Sequence, residues 1–170
     1  RAELPGLLAT RSDVLSPHMI RLIEDLAGDW RCLDARIDAL TTQIEAIARS
    51  DVNCQRTMSV PGVGPIVSSA MVAAIGTGEG FCKGRDFAAW LGIVPKQNSS
   101  GGKERLGRTS KRGDKYIRSL LTAGAVAVLR HARNRPIRDG EWVRALLARK
   151  PAKLAAVALA NKTARIASGR

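Results

Sequence analysis

The chain has 170 residues and a mass of 18.2 kDa, with 28 Lys and Arg against 15 Asp and Glu, a formal net charge of +13. That length suits one domain of about 100–200 residues, or a smaller domain with a long helix attached. With 45% apolar and 25% charged residues it can bury a core, which excludes a chain disordered by composition.

No apolar run reaches the roughly 18 residues of a membrane span, and no basic-then-apolar leader opens the chain. The first residue is Arg1, as expected of a fragment. Cys32, Cys54 and Cys82 form no CxxC pair and read as reduced thiols of a cytoplasmic protein. His18 and His131 lie far apart, so no zinc site is expected.

The charge is uneven. Residues 1–50 carry six basic and eight acidic side chains, a net of −2, whereas residues 51–170 carry 22 and seven, a net of +15. A strong local excess of cations attracts polyanions, and counterion release makes nucleic acid the usual one. A merely solubilising basic surface is the blander reading, and an anionic membrane fits less well because no basic helix has a large exposed apolar face.

Ser16-Pro17 is a helix start, with a side-chain acceptor followed by a residue suited to the first turn. From there Met19, Ile23, Leu26, Trp30, Leu33, Ile37, Leu40, Ile44 and Ile47 recur at alternating steps of four and three. That is an unbroken heptad seam, flanked by polar and charged positions. Either one amphipathic helix folds back on the downstream core, or the helix pairs in an intermolecular or interdomain coiled coil. The length and narrowness of the seam favour the coiled coil. The expected division is therefore a coiled-coil helix over 1–50 and a second domain over 51–170.

Residues 50–60 predict a short helix, and Ile66 to Ile75 a small-residue helix ending at Gly76. Between them lies Pro61-Gly62-Val63-Gly64-Pro65, a turn like that of a helix-hairpin-helix. Gly62 and Gly64 permit left-handed dihedrals and close approach, and the N–H groups opening the next helix can face a DNA phosphate. A tight turn that touches no ligand fits the same residues equally well. Gly76 to Gly84 is a glycine-rich loop, and Arg85 to Gly92 a short helix with Phe87, Trp90 and Leu91 on its buried face. Six aromatic residues in all are too few for a base-stacking surface.

After Val94 the chain is nearly devoid of apolar residues up to Asp114. Between Lys96 and Arg118 it has eight basic and two acidic residues, and four glycines fall between Gly101 and Gly113. A polar loop this long inside a domain is usually functional or disordered. Ser99, Ser100, Thr109 and Ser110 alternate with glycines and cations. Glycines admit a phosphate, cations neutralise it, and a hydroxyl can attack phosphorus. No GxxxxGK[ST] string is present, so it is not a P-loop. Asp114 can cap the following helix, whose apolar face is Ile117, Leu120, Leu121, Ala125, Val128 and Leu129. Pro136 and Pro151 bracket another, with Trp142, Val143, Leu146 and Leu147 toward the core. The segment from Lys153 to Arg165 is Ala-rich and basic. No strand signal competes, and the expected class is all-α with loops: a long coiled-coil helix, then a small helical domain with a basic Gly/Ser loop.

The stretch from Val60 to His131 resembles the C-terminal domain of bacterial insertion-sequence transposases of the IS116/IS110/IS902 family. These are bridge-RNA-guided DEDD/serine recombinases. The strings that carry the resemblance are VPGVGP, RDFAAWLGIVPKQNSSGGKERLGRTSKRGDKYIRSLL and AAVALANKTARI, in order and at family-like spacing. The heptad helix fits a family with a coiled coil before this domain. The resemblance implies DNA cut and rejoined through a covalent phosphoserine, guided by an RNA from the element. It places the nucleophile in the Ser-Ser-Gly-Gly segment. Ser100, directly before Gly101, is the first choice and Ser99 the second. Lys96, Gly101, Gly102, Lys103, Arg105, Arg108, Lys111, Arg112 and Lys115, with Gly62 and Gly64, are the implied nucleic-acid contacts. The family's metal-binding carboxylates lie in an N-terminal nuclease-like domain that this chain lacks. No cofactor is therefore expected in this fragment, Mg2+ is expected in the missing domain, and the fragment alone is expected to be inactive. The implied partners are DNA, the guide RNA and further copies of the chain, as a dimer or tetramer, in the bacterial cytoplasm near the nucleoid. The competing reading is a nonenzymatic, oligomerising nucleic-acid-binding module in which the serines only fill a loop.

Overall fold

The structure is a computed structural model that describes residue 6, residues 14–132 and residues 140–168. Among these residues are seven helices and one hairpin: α1 Pro17–Ser50, α2 Val52–Met58, α3 Pro65–Ile75, α4 Gly84–Trp90, β1 Pro95–Gln97, β2 Leu106–Thr109, α5 Lys115–Ala132, α6 Gly140–Arg149 and α7 Ala152–Ala167. The all-α class holds, with a small sheet added. The chain divides into two compact units, Arg1–Gln43 and Ile44–Arg170.

The first unit contains α1 as far as Gln43, and the last turns of that helix belong to the second. Ser16 caps α1, accepting the Met19 N–H at 3.3 Å. Its 34 residues span about 50 Å at 1.5 Å per residue. Leu26, Trp30, Leu33, Ile37, Leu40 and Ile47 each expose half or more of their surface. A stripe of large apolar side chains thus runs along the helix in contact with water.

The second unit is built around α5. Ile117, Leu121, Ala125 and Leu129 fall every fourth residue and are all buried, the single stripe that a helical period dictates. Against it packs α7, whose buried face is mostly Ala, with Leu159; small side chains let the two backbones approach. Met71 from α3, with Phe87 and Leu91 from α4 and its C-cap, completes the core. Each large side chain fully buried here contributes about 1.5–3 kcal/mol. Asp114 caps α5, accepting the Ile117 N–H at 2.8 Å, as its position before the helix predicts.

The turn between α2 and α3 packs on α5. Gly62 has φ +87°, and a Cβ there would stand 3.0 Å from Val128 Cγ2 and 3.1 Å from the Gly124 carbonyl oxygen. A Cβ on Gly124 would overlap the Gly62 carbonyl. The two glycines allow one turn to sit directly on one helix.

Three expectations are corrected. The polar segment after Val94 is a β-hairpin, not a loop. Its strands are three and four residues long and almost wholly exposed, so they carry no alternation of apolar and polar residues, the usual strand signal. Trp90 is 42% exposed; its ring stacks on Phe87 at 5.9 Å and meets Phe81 edge-on at 5.8 Å, so it shields the core from outside it. Trp142 is 36% exposed and lies beneath the Lys162 ammonium, 4.6 Å from the ring centre; Val143 is the buried residue of α6. Pro136, expected to open α6, lies outside the described residues.

Candidate functional site

The basic segment leaves the core at Ile93, which is buried, and returns to it at Ile117. At the base Ser110 donates its N–H to the Val94 carbonyl and Lys111 to that of Gly92, each at 2.9 Å. The strands pair antiparallel, Pro95 with Thr109 and Gln97 with Leu106, with an irregularity between these pairs. Above them Asn98 donates its N–H to the Arg105 carbonyl at 2.9 Å, and Lys103 to Ser100 at 3.1 Å. The tip is Ser100-Gly101-Gly102-Lys103. Gly101 has φ +56° and Gly102 +76°, the paired positive values of a type I′ hairpin turn. A Cβ at either would meet nothing within 4 Å. Backbone conformation, not crowding, requires glycine at both positions.

Arg118 fastens the hairpin base to the core. Its Nη1 donates to the Leu91 carbonyl at 2.8 Å and to the Gly113 carbonyl at 3.1 Å. One guanidinium thus ties the end of α4 to the segment leading into α5. In sequence Arg118 lies just beyond the basic segment, but its partner Leu91 is 27 residues away, a pairing that no local spacing marks. Lys111 has φ +55°, the one non-glycine residue with positive φ among those described. Such a backbone costs a side-chain-bearing residue about 1–2 kcal/mol.

The two serines differ. Ser99 Oγ accepts the Arg105 N–H at 3.2 Å and so belongs to the hairpin's own framework. Ser100 contributes its carbonyl to the turn, and its hydroxyl makes no hydrogen bond among the described residues. Both serines are exposed, as are Gly101, Gly102, Lys103, Arg105 and Arg108.

The hairpin and its base bring together Lys96, Lys103, Arg105, Arg108, Lys111, Arg112 and Lys115, all exposed. None of these seven makes an ion pair among the described residues. Glu104 is the one acidic residue between Lys96 and Arg112. Gly62 and Gly64 are not part of this group. They sit in the α2–α3 turn, and Gly62 meets α5 at Gly124, nine residues beyond Lys115, about 14 Å along the helix. Gly62 uses its glycine character within the fold. Gly64 does not: its φ is −96° and open space surrounds its Cβ position.

Among the described residues no three His, Cys, Asp or Glu side chains gather as they would around a metal, and no helix is long and apolar enough to cross a membrane.

A helical domain displaying a basic, serine-bearing hairpin is the class that these features define. The model of the IS116/IS110/IS902 transposase family matches residues 54–140, which contain the α2–α3 turn, the hairpin and α5. The chain belongs to that family. It is 47% identical over 165 residues to a probable family 20 transposase of Pseudomonas aeruginosa, a match covering 97% of this chain and 49% of that protein. It is 39% identical over 164 residues to the transposase for insertion sequence element IS1111A of Coxiella burnetii, covering 96% and 45%. With the transposase for insertion sequence element IS1328 of Yersinia enterocolitica the figure is 37% over 153 residues, covering 90% and 46%. The chain spans about half the length of these curated relatives.

Proposed function

We propose that this chain is the serine-bearing part of an enzyme that moves an insertion sequence by cutting and rejoining DNA. The observation that carries the reading is Ser100. Its hydroxyl is exposed and unengaged at the tip of a hairpin whose flanks are cationic. In the proposed step Ser100 Oγ forms a bond to a DNA phosphorus while one sugar–oxygen bond to that phosphorus breaks. The serine proton leaves to an acceptor, and the departing sugar oxygen takes up a proton. A phosphodiester is exchanged for a phosphodiester, so the strand can be rejoined by the reverse attack. The hairpin cations stabilise the charge that builds on phosphorus.

A free serine hydroxyl is a weak nucleophile until a base or metal activates it. The hairpin holds no histidine, and the described carboxylates do not converge as metal ligands. We therefore assign activation to the remainder of the protein, where a divalent cation such as Mg2+ would be held, and read this chain by itself as binding without cleaving. Lys111 supports a binding role. It keeps a cation at a backbone position where glycine is the easier residue. DNA and an element-encoded guide RNA are the proposed partners, gripped through their phosphates by the hairpin and by the N–H groups near Gly64. The exposed seam of α1 supports pairing with another copy through a coiled coil. The proposed setting is the bacterial cytoplasm.

The test is covalent chemistry in the full-length transposase. With labelled donor DNA, the wild type should give a protein–DNA adduct on a denaturing gel. Ser100→Ala should give none, while binding the DNA within about twofold of wild type, since one uncharged hydroxyl adds little to an electrostatic interface. An adduct that survives in Ser100→Ala sinks the assignment.

A further inference from the structure

The apolar seam of α1 carries an order that bears on how a second helix can lie against it. Written as heptads, Ile23, Trp30, Ile37 and Ile44 hold one inward position, a, and Met19, Leu26, Leu33, Leu40 and Ile47 the other, d. Leu26, Trp30, Leu33, Ile37 and Ile47 each expose more than half of their surface. The seam is confined to these two positions, the narrow stripe of a two-helix contact. Three charged side chains stand on the flanks where a facing helix would meet them: Asp29 and Arg36 beside a, and Asp34 beside d. The Arg49–Glu45 ion pair of α1 lies at heptad positions away from the seam.

We propose that α1 pairs with α1 of a second copy as an antiparallel two-stranded coiled coil, centred between Arg31 and Cys32. The inference rests on the reading that the seam joins copies of this chain, and it adds the direction and register of the pair. The competing arrangement is a parallel dimer, for which isoleucine at a and leucine at d are a familiar combination.

Two features choose between them. The first is steric. In a parallel pair each layer of the seam holds the same residue from both helices, so two Trp30 indoles would share one layer. In the antiparallel register each a residue faces a d residue. Trp30 then meets Leu33 of the second copy, Ile23 meets Leu40, Ile37 meets Leu26 and Ile44 meets Met19. A large side chain facing a smaller one fills a layer without overpacking it. The second feature is electrostatic. The antiparallel register brings Asp29 of each copy beside Arg36 of the other, two opposite-charge pairs related by the twofold axis. Both side chains lean toward their own helix N-terminus, which here carries them toward each other. Asp34 then faces Ala27. Parallel pairing sets Asp29 against Asp34 instead, and charges at these flanking positions decide orientation. The two Ile44 residues of the antiparallel pair lie about 38 Å apart along its axis, so the chains enter their second units at opposite ends.

The test uses the whole chain with Cys32→Ser and Cys82→Ser, which removes the exposed thiols and leaves Cys54 buried. Leu26→Cys is added to one copy and Ile37→Cys to a second copy that carries a tag, so that the products differ in size. The two are mixed, left to exchange under reducing conditions, oxidised, and run on a gel without reductant. Two cysteines bridge only when their Cα atoms lie within about 7 Å. The antiparallel register puts positions 26 and 37 in one layer and holds like positions about 16 Å apart. The disulfide between the two different chains should therefore exceed either homodisulfide by at least about tenfold. Homodisulfides in its place overturn the antiparallel direction and leave the coiled-coil reading standing. Equal amounts of all three also overturn it, since no direction is then chosen. No disulfide, with a monomer mass by sedimentation, overturns both readings. Asp29→Arg supplies a sign that does not depend on cysteine chemistry. Asp29 is exposed, so the helix keeps its fold, which circular dichroism verifies. The new cation stands beside Arg36 of the second copy in the antiparallel pair and beside Asp34 in a parallel one. Dimer affinity by sedimentation equilibrium should fall about twofold to thirtyfold, the loss of two exposed ion pairs; a rise in affinity would overturn the proposal.

Discussion

Arg105 donates its backbone N–H to Ser99 Oγ at 3.2 Å, across the tip of the hairpin. Ser100, one residue further on, makes no such contact with its hydroxyl among the described residues. Successive side chains near a strand point to opposite faces, so neighbouring serines enter different surroundings. Ser99→Ala should therefore behave as a structural change. The hairpin bond is worth about 0.5–1.5 kcal/mol, so amide exchange at Arg105 should speed up about twofold to tenfold. Adduct formation by the full-length protein should persist. Loss of the adduct with unchanged exchange would move the nucleophile to Ser99.

Arg118 makes two charge-assisted hydrogen bonds to carbonyls that are not adjacent in the chain. Arg118→Met keeps the stem but leaves both acceptors unanswered. The expected cost is about 2–4 kcal/mol, read by urea unfolding. Arg118→Lys, with one compact donor group in place of the planar fork, should recover only part of it. A Met variant within about 0.5 kcal/mol of wild type would show that the clamp does not hold the hairpin base.

Lys111 offers a sharper separation of stability from binding. Lys111→Gly relieves a left-handed backbone, which favours the fold by about 1–2 kcal/mol, while glycine's extra freedom in the unfolded chain returns about 0.5–1 kcal/mol. Stability should thus stay level or rise by up to about 1.5 kcal/mol. Affinity for single-stranded DNA should fall about fivefold near 0.1 M salt if the ammonium meets a phosphate. Unchanged affinity would remove Lys111 from the interface.

Leu33 and Leu40 occupy the heptad seam of α1 and are 57% and 50% exposed. If two copies pair along that seam, Leu33→Asp with Leu40→Asp buries charge at each interface, at a cost of several kcal/mol. Light scattering should then report a smaller particle than the wild type. An unchanged mass would show that α1 does not assemble the protein.

Cys54 is buried in α2, while Cys32 and Cys82 are exposed. Burial pushes its thiol above the ordinary value of 9.0, and the Asp51 carboxylate pushes it the same way; a hydrogen bond with Ser68 opposes both. A raised pKa favours the neutral thiol in the fold. The associated stability is complete below the ordinary value and is lost as pH rises through the raised one. Two thiols should react quickly with a disulfide reagent in the native chain and the third only on unfolding. Above about pH 9 the wild type should lose more stability than Cys54→Ala, and parallel curves would count against the shift.

Local pattern decided much of this protein. The step of four and three from Met19 to Ile47 implies α1, Ser16-Pro17 places its start, and Asp114 marks the start of α5. Each of these signals lies within one element and needs only its neighbours. The hairpin was partly legible, since Gly101-Gly102 is a two-residue turn signal, but its strands are short and exposed and have no buried face to impose alternation. Trp90 and Trp142 share the helical spacing of core residues, yet each stands at the edge of what the neighbouring helices cover; spacing defines a face and not its width. The tertiary structure alone brought Arg118 to Leu91, Gly62 to Gly124, and Lys83 and Arg85 to Lys162 and Arg165. Those partners are separated by 27 to about 80 residues. Their meeting depends on how buried faces pack between helices, which no local spacing encodes.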